Sequence, residues 1–108
     1  MVGAPDAVFS KEMYSTQYAS NYVEKIWRQA HKLGYGSYFI EQEAYPITDD
    51  HYYVSVYGGI PCVDIIHYDA RTGSGFPSWW HTRKDDMRNI SPVTLQAVGE
   101  VVLATILD

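Results

Sequence analysis

Apolar residues recur at helical spacing in two stretches of the chain. In residues 16–33 they fall three and four positions apart, and Gly34 follows as a typical helix stop. The apolar positions there are Ala19, Tyr22, Val23, Ile26, Ala30 and Leu33. Near the end, Ser91 and Pro92 form a typical N-cap and first helical residue. One face then carries Leu95, Val98, Gly99, Val102 and Ile106, so two amphipathic helices are predicted.

Two segments between these helices have the character of strands. Residues 37–42 (SYFIEQ) are aromatic and β-branched, and residues 61–68 (PCVDIIHY) form a nearly continuous apolar run typical of a buried parallel strand. Residues 52–57 are compatible with a helical turn or a strand, and the turn is favoured. With a strand stub at residues 1–4, this order predicts an α/β fold, a three-layer α/β/α unit with a mostly parallel sheet.

The composition predicts one globular unit, residues 1–108. The chain is 46% hydrophobic and 19% charged, which suffices for one core, and no low-complexity stretch marks a boundary. A net charge of −5 with scattered Lys and Arg argues against nucleic acid as a partner. No segment approaches the roughly 18 consecutive apolar residues of a membrane span. Cys62 lies in an apolar run and is expected to be buried rather than reactive.

Polar and aromatic side chains follow both predicted strands. Residues 49–51 (Asp-Asp-His) come after the first strand, and residues 79–81 (Trp-Trp-His) come after the second. Ligands of parallel sheets bind beyond the carboxyl ends of the strands, so both groups are expected to open on one cleft. Their carboxylates and imidazoles suit zinc binding and proton transfer. An Asp-Asp-His turn is also typical of a helix cap with its hydrogen bonds, and no HExxH spacing is present.

Three motifs resemble the ordered C-terminal motifs of the glutaminyl cyclases. They are ITDDH at residues 47–51, GIP at residues 59–61 and FPSWWHT at residues 76–82. The resemblance runs in register along essentially the whole chain, and FPSWWHT is its most specific part. It implies the C-terminal part of a zinc-exopeptidase-like fold, which the zinc aminopeptidases share.

The resemblance implies roles for five residues. His81 matches a zinc ligand, and Asp49 matches a carboxylate of a hydrogen-bonded relay beside the zinc. Trp80, Phe76 and Ile47 match residues of the substrate pocket. Aminopeptidases more often have serine at the position of Asp49, which favours a cyclase. Cyclisation of an N-terminal glutamine requires attack of the α-amine on the side-chain amide, for which a Lewis acid and a proton-carrying carboxylate are suited.

The family pattern continues upstream of Met1, where the Asp and Glu ligands of zinc would lie. Only His81 of three expected ligands belongs to this chain, and zinc needs three or four. We therefore expect a fragment, remnant or mis-started reading frame of a zinc-dependent glutaminyl-peptide cyclotransferase, inactive in isolation. The alternatives are the C-terminal portion of a zinc aminopeptidase and a non-catalytic assembly module.

The expected partners follow from the same resemblance. The parent enzyme would act on peptides with an N-terminal glutamine. Without the upstream strands, sheet edges and apolar helix faces would be exposed, so the chain is expected to need the missing half or to associate with itself. Trp80 would then lie partly exposed in an open pocket. No targeting signal is recognised in the sequence itself. Bacterial relatives are commonly exported, so the resemblance implies a periplasmic or secreted parent.

Overall fold

The computed structural model describes residues 2–108, which form a parallel two-stranded sheet packed against helices. The elements in chain order are β1 (Phe9–Glu12), α1 (Met13–Lys32), β2 (Phe39–Ala44), α2 (Asp50–Val56), a short 3-10 helix (Met87–Asn89) and α3 (Pro92–Leu107). In the sheet, Phe9 lies opposite Phe39 and Glu12 lies opposite Ala44. The predicted α/β class with a parallel sheet is confirmed.

The core lies between the sheet and helix α1. Phe9 and Phe39 are fully buried with ring centroids 5.0 Å apart, and Trp27 meets Phe39 edge-on at 5.3 Å. The Trp27 indole N–H donates to the carbonyl of Ile40 at 2.8 Å, so its one polar atom is satisfied. Val101 of α3 closes the cluster. These contacts hold α1, α3 and both strands in one packed unit.

Both long helices are confirmed, but their buried faces differ from the prediction. Helix α1 begins at Met13 rather than at residue 16, and it buries Trp27 while Tyr22 and Leu33 are exposed. Helix α3 buries Thr94, Ala97 and Val101, which lie one position from the predicted face. Its residues are apolar nearly all round, so the pattern does not define one face. Leu95 and Ile106 of the predicted face are exposed.

The strand predictions are partly wrong. Strand β2 begins two residues later than predicted, and β1 was missed because FSKE is short and half polar. Residues 61–68 are not a strand, since the described structure gives them a single antiparallel bridge between Phe9 and His67. The run is apolar because Val63 and Ile65 pack on the core, which periodicity alone does not distinguish from strand pairing. Of the predicted stub, residues 2–4 are not a strand and Met1 lies outside the described residues.

Residues 50–56 form helix α2, so the favoured helical interpretation of that segment is confirmed. No helix in the part of the chain that the structure describes is long and apolar enough to cross a membrane. Several apolar side chains of α3 are exposed, with Leu103 at 57% and Leu107 at 77% of full exposure. This surface is the kind of apolar area that further protein covers in larger domains.

Candidate active site

Glu12 is a fully buried carboxylate at the point where β1 passes directly into α1. It caps the helix by accepting from the backbone N–H groups of Tyr14 and Ser15, both at 2.9 Å. Its Oε2 also accepts from the N–H of Ile47 at 2.8 Å. Burial raises the pKa of Glu12, but these hydrogen bonds and the one from His51 outweigh it, so the pKa lies below its ordinary value. Glu12 is therefore held as an anion.

His51 connects this anion to the outer part of the site. Its Nε2 lies 2.6 Å from Oε1 of Glu12, and its side chain is only 3% exposed. Since an ionised carboxylate only accepts hydrogen bonds, Nε2 must carry the proton and donate. The other ring nitrogen, Nδ1, lies 3.6 Å from Oδ2 of Asp64. His51 thus joins β1 to the segment that follows α2.

Asp64 is held by its backbone as well as its side chain. Its N–H donates to Oγ of Ser15 at 2.9 Å, and that hydroxyl donates to Oε1 of Glu12 at 3.0 Å. Burial raises the pKa of Asp64 to about 6, with His51 opposing the shift and the carboxylates of Asp49 and Glu12 adding to it. The neighbouring carboxylate of Asp49 therefore favours the protonated form of Asp64.

Asp49 is the N-cap of α2 and lies at the surface of this cluster. Its Oδ1 accepts from the N–H of Asp50 at 2.8 Å, and the residue is exposed. Ile47, two residues earlier, is half-buried and fixed by its hydrogen bond to Glu12. The Asp-Asp-His turn is therefore both a helix cap and the outer end of a buried hydrogen-bond network. Its carboxylate belongs to a residue that is exposed to solvent.

Phe76, Trp80 and His81 form a second group on the loop between residue 68 and α3. The Phe76 and Trp80 rings stack with centroids 4.5 Å apart, and Trp80 and His81 stack at 3.9 Å. The backbone of His81 has φ of 59°, in the left-handed region that few residues other than glycine adopt. Such strained positions cluster at functional sites. His81 is exposed, and Trp80 is partly exposed as predicted.

A cavity of about 390 Å³ opens beside this aromatic group. Its lining includes Trp79, Trp80, His67, Ile90 and Leu95, whereas Phe76 and Ile47 are not among the described residues that line it. His67 is buried with an unpaired Nδ1, and burial lowers its pKa, so its ring is held neutral. The cavity is mainly apolar, which suits an uncharged group.

The structure thus divides the predicted site residues into two groups, Ile47 with Asp49 and Phe76 with Trp80 and His81. Sequence reasoning missed Glu12 and Asp64, and it treated His51 as a possible ligand although both of its ring nitrogens face carboxylates. The available signal for Glu12 was a charged residue directly before a helical pattern.

In the part of the chain that the structure describes, no three His, Cys, Asp or Glu side chains could hold a metal ion. His81 alone does not make a zinc site.

A family model matches nearly the whole chain. The model is that of peptidase family M28, and the match covers residues 1–106. No curated protein matches the sequence.

Several solved structures are similar over the full chain. Glutaminyl cyclase from Tannerella forsythia is 52% identical with a TM-score of 0.97, and the match covers 100% of this chain and 37% of that one. A Zn-dependent exopeptidase from Parabacteroides distasonis is 49% identical with a TM-score of 0.95, over 98% and 36%. A leucine aminopeptidase precursor from Bacteroides thetaiotaomicron is 42% identical with a TM-score of 0.92, over 100% and 35%. The chain therefore spans little more than a third of these relatives.

Proposed function

Because this chain belongs to peptidase family M28, we propose that it is the C-terminal portion of a glutaminyl-peptide cyclotransferase. The observation that carries the proposal is Asp49, an exposed carboxylate at the N-cap of α2, two residues before the buried His51 that bonds to Glu12. The similarity to the Tannerella forsythia cyclase over the full chain supports it further. The isolated chain would lack the remainder of the site.

Asp49 would move the protons of the reaction. The α-nitrogen of an N-terminal glutamine attacks Cδ of its own side chain, forming a C–N bond as the bond from Cδ to the amide nitrogen breaks. Asp49 takes a proton from the attacking nitrogen and gives it to the departing nitrogen, which leaves as ammonia. Its position at the surface of the cluster allows contact with the substrate, while the cap on α2 fixes its orientation.

The aromatic group would bind the glutaminyl side chain. The stacked Phe76 and Trp80 present flat apolar surfaces, and the cavity beside Trp80 is large enough for a small neutral group. Ile47, fixed through its backbone to Glu12, would supply a further apolar contact on the side of Asp49. A pocket with few charges suits the uncharged side chain of glutamine.

His81 would contribute one zinc ligand in the complete domain. It is exposed, and its strained backbone is the kind that a functional position retains. Among the described residues, His81 belongs to no group of three possible metal ligands, so further ligands would come from protein outside this chain.

An aminopeptidase is the second candidate, because the leucine aminopeptidase precursor is 42% identical over the whole chain. It would hydrolyse the first peptide bond instead of closing a ring. The two functions differ in products: a cyclase releases ammonia and keeps the peptide, whereas an aminopeptidase releases a free amino acid.

A hybrid enzyme tests the choice. It consists of the Tannerella forsythia cyclase in which this chain replaces the matching 37%. We expect the hybrid to convert a peptide with N-terminal glutamine to its pyroglutamyl form with release of ammonia, as the unmodified cyclase does. A folded hybrid that instead releases free amino acids, or that leaves the peptide unchanged, would overturn the proposal.

A further inference from the structure

We propose that an exposed tyrosine face on α2 binds the part of the substrate peptide that follows its first residue. The tyrosine face consists of Tyr53 and Tyr57, and its preferred occupant is a peptide with Arg or Lys at the third and fifth positions. The inference rests on the proposed function, which places the first residue of the substrate at Asp49.

Tyr53 and Tyr57 lie on the side of α2 that begins with Asp49. The three residues are four positions apart, and positions with this spacing share one face of a helix. The N–H of Tyr57 donates to the carbonyl of Tyr53 at 3.0 Å, which closes the helical turn between them. The planes of the two rings differ by 14°, and their centroids are 6.0 Å apart. Because the residues are 53% and 77% exposed, both rings are open to solvent.

A chain of aromatic rings connects the tyrosine face to the interior of the site. Tyr52 is half-buried and meets Tyr53 edge-on with centroids 5.3 Å apart. Tyr52 also lies 4.6 Å from Tyr14 of α1, whose ring is 6.3 Å from that of the buried His51. These contacts limit the movement of Tyr53, so the face has a defined place beside the start of α2.

The spacing of the tyrosine face matches an extended peptide. Four residues of an α-helix rise about 6 Å, and two residues of an extended chain span about 6.7 Å. Alternate side chains of an extended chain point to the same side. A peptide whose first residue is at Asp49 therefore brings its third side chain to Tyr53 and its fifth to Tyr57.

The charges around the face favour a cationic occupant. No Lys or Arg occurs in residues 12–24 or 43–70, the two stretches that contain this chain of rings. Lys11 before the first stretch and Arg71 after the second are already paired with carboxylates. The second stretch itself contains five acidic residues, Glu43, Asp49, Asp50, Asp64 and Asp69.

An Arg or Lys side chain gains twice at such a surface. The face of an aromatic ring attracts a cation, and arginine is found in this arrangement more often than lysine. The surrounding carboxylates add an attraction of longer range. An acidic peptide would be repelled by the same carboxylates, and an uncharged peptide would gain neither contribution.

Two peptides of equal composition test the register in the hybrid enzyme. Both end in an amide. Gln-Ala-Arg-Ala-Arg has its cations at the third and fifth positions, and Gln-Arg-Ala-Arg-Ala has them at the second and fourth. We expect kcat/KM to be roughly fivefold higher or more for the first peptide, and also higher than for Gln-Ala-Leu-Ala-Leu. Equal kcat/KM for the two arginine peptides, or for the first arginine peptide and the leucine peptide, would overturn the proposal.

Substitutions test whether the tyrosine face causes the preference. Tyr53→Leu combined with Tyr57→Leu should bring the ratio of kcat/KM between the two arginine peptides close to one, whereas Tyr53→Phe keeps an aromatic ring and should keep the ratio. Tyr22→Leu is the matched control and should also keep it, because Tyr22 is 52% exposed but lies on α1 outside the face. A double variant with the ratio of this control would overturn the proposal.

A binding measurement separates this inference from the proposed function. The pyroglutamyl forms of the two arginine peptides have already been cyclised, so calorimetry gives their dissociation constants without turnover. The form with Arg at the third and fifth positions should bind roughly fivefold more tightly. A hybrid without cyclase activity that keeps this difference would refute the proposed function and leave the peptide-binding face standing. An active cyclase that binds both forms equally would overturn the inference alone, and an inactive hybrid that binds them equally would overturn both.

Discussion

The Nε2 atom of His51 lies 2.6 Å from Oε1 of Glu12, and both side chains are almost completely removed from solvent. Glu12 at the strand end and His51 in the turn that carries Asp49 are 39 positions apart, and α1 and β2 lie between them. The hydrogen bond joins these two parts inside the protein. It explains why a carboxylate at the surface can have a fixed position although it lies on a short helix cap.

Glu12→Gln should destabilise the fold strongly. The amide has one acceptor oxygen in place of two, so at least one buried N–H would face an amide NH₂ group. We expect the free energy of unfolding of the hybrid enzyme to fall by roughly 3 kcal/mol, measured by urea titration. Glu43→Gln, on the exposed part of β2, is the matched control and should stay within about 0.5 kcal/mol. Equal stability of the two variants would contradict the anchoring role of Glu12.

Substitutions of Trp27 test the packing of the core. Trp27→Ala leaves a large cavity against Phe39 and should cost about 3–5 kcal/mol of unfolding free energy. Trp27→Phe keeps most of the volume but leaves the Ile40 carbonyl without its donor, and should cost about 1–3 kcal/mol. Urea titration of both variants checks the order. A larger loss for Trp27→Phe than for Trp27→Ala would contradict the packing of Trp27 against Phe39.

The stability of the hybrid should depend on pH through Asp64. Its pKa of about 6 in the folded protein exceeds the ordinary 3.8, so the folded state binds the proton more tightly. The corresponding stability is present below 3.8 and is lost as pH rises through 6. The contribution of Glu12 to stability depends on pH in the opposite sense. Because the pKa of Glu12 is lowered, this stability is present above pH 4.5 and is lost on further acidification.

Asp64→Asn removes the first of these two contributions. Its thermal midpoint, compared with that of the unsubstituted hybrid, should rise as pH increases from about 4.5 to about 7. The comparison cancels the titration of all other groups. A difference in thermal midpoint between the two proteins that stays constant over this pH range would contradict the raised pKa of Asp64.

Trp80→Ala should weaken substrate binding. The substitution removes one wall of the cavity and the surface on which Phe76 and His81 stack. We expect KM for a glutaminyl peptide to rise roughly tenfold or more, with Trp80→Phe intermediate because it keeps an aromatic face. Steady-state kinetics of the hybrid enzyme checks this. An unchanged KM in Trp80→Ala would place the glutamine side chain elsewhere.

Much of the fold could be predicted from periodicity and capping residues. Ser91 with Pro92 marked the start of α3, and spacing in α1 marked a helix. Strand β1 could not be predicted, because FSKE has neither the length nor the apolar content of a strand. The error in residues 61–68 has the same origin, since an apolar run reports burial but does not report which backbone groups pair.

The site could be predicted only where a motif carried it. Asp49, Trp80 and His81 were selected by their positions after predicted strands, but their roles were assigned by resemblance. Ile47 and Phe76 were found by resemblance alone. Glu12 and Asp64 could not be found because they lie 52 positions apart and are connected only in the folded chain, through His51 and Ser15. A buried carboxylate looks like an exposed one in sequence until its hydrogen bonds are known.

The most direct test of the account is a comparison of Asp49→Asn with the unsubstituted hybrid enzyme. Asparagine keeps the shape of the helix cap but does not accept and release the transferred proton. We expect ammonia release from a glutaminyl peptide to slow by roughly a hundredfold or more while zinc content stays unchanged. His81→Ala should instead lose zinc. Ammonia release by Asp49→Asn at the rate of the unsubstituted hybrid, or equal loss of zinc in both variants, would contradict the role assigned to Asp49.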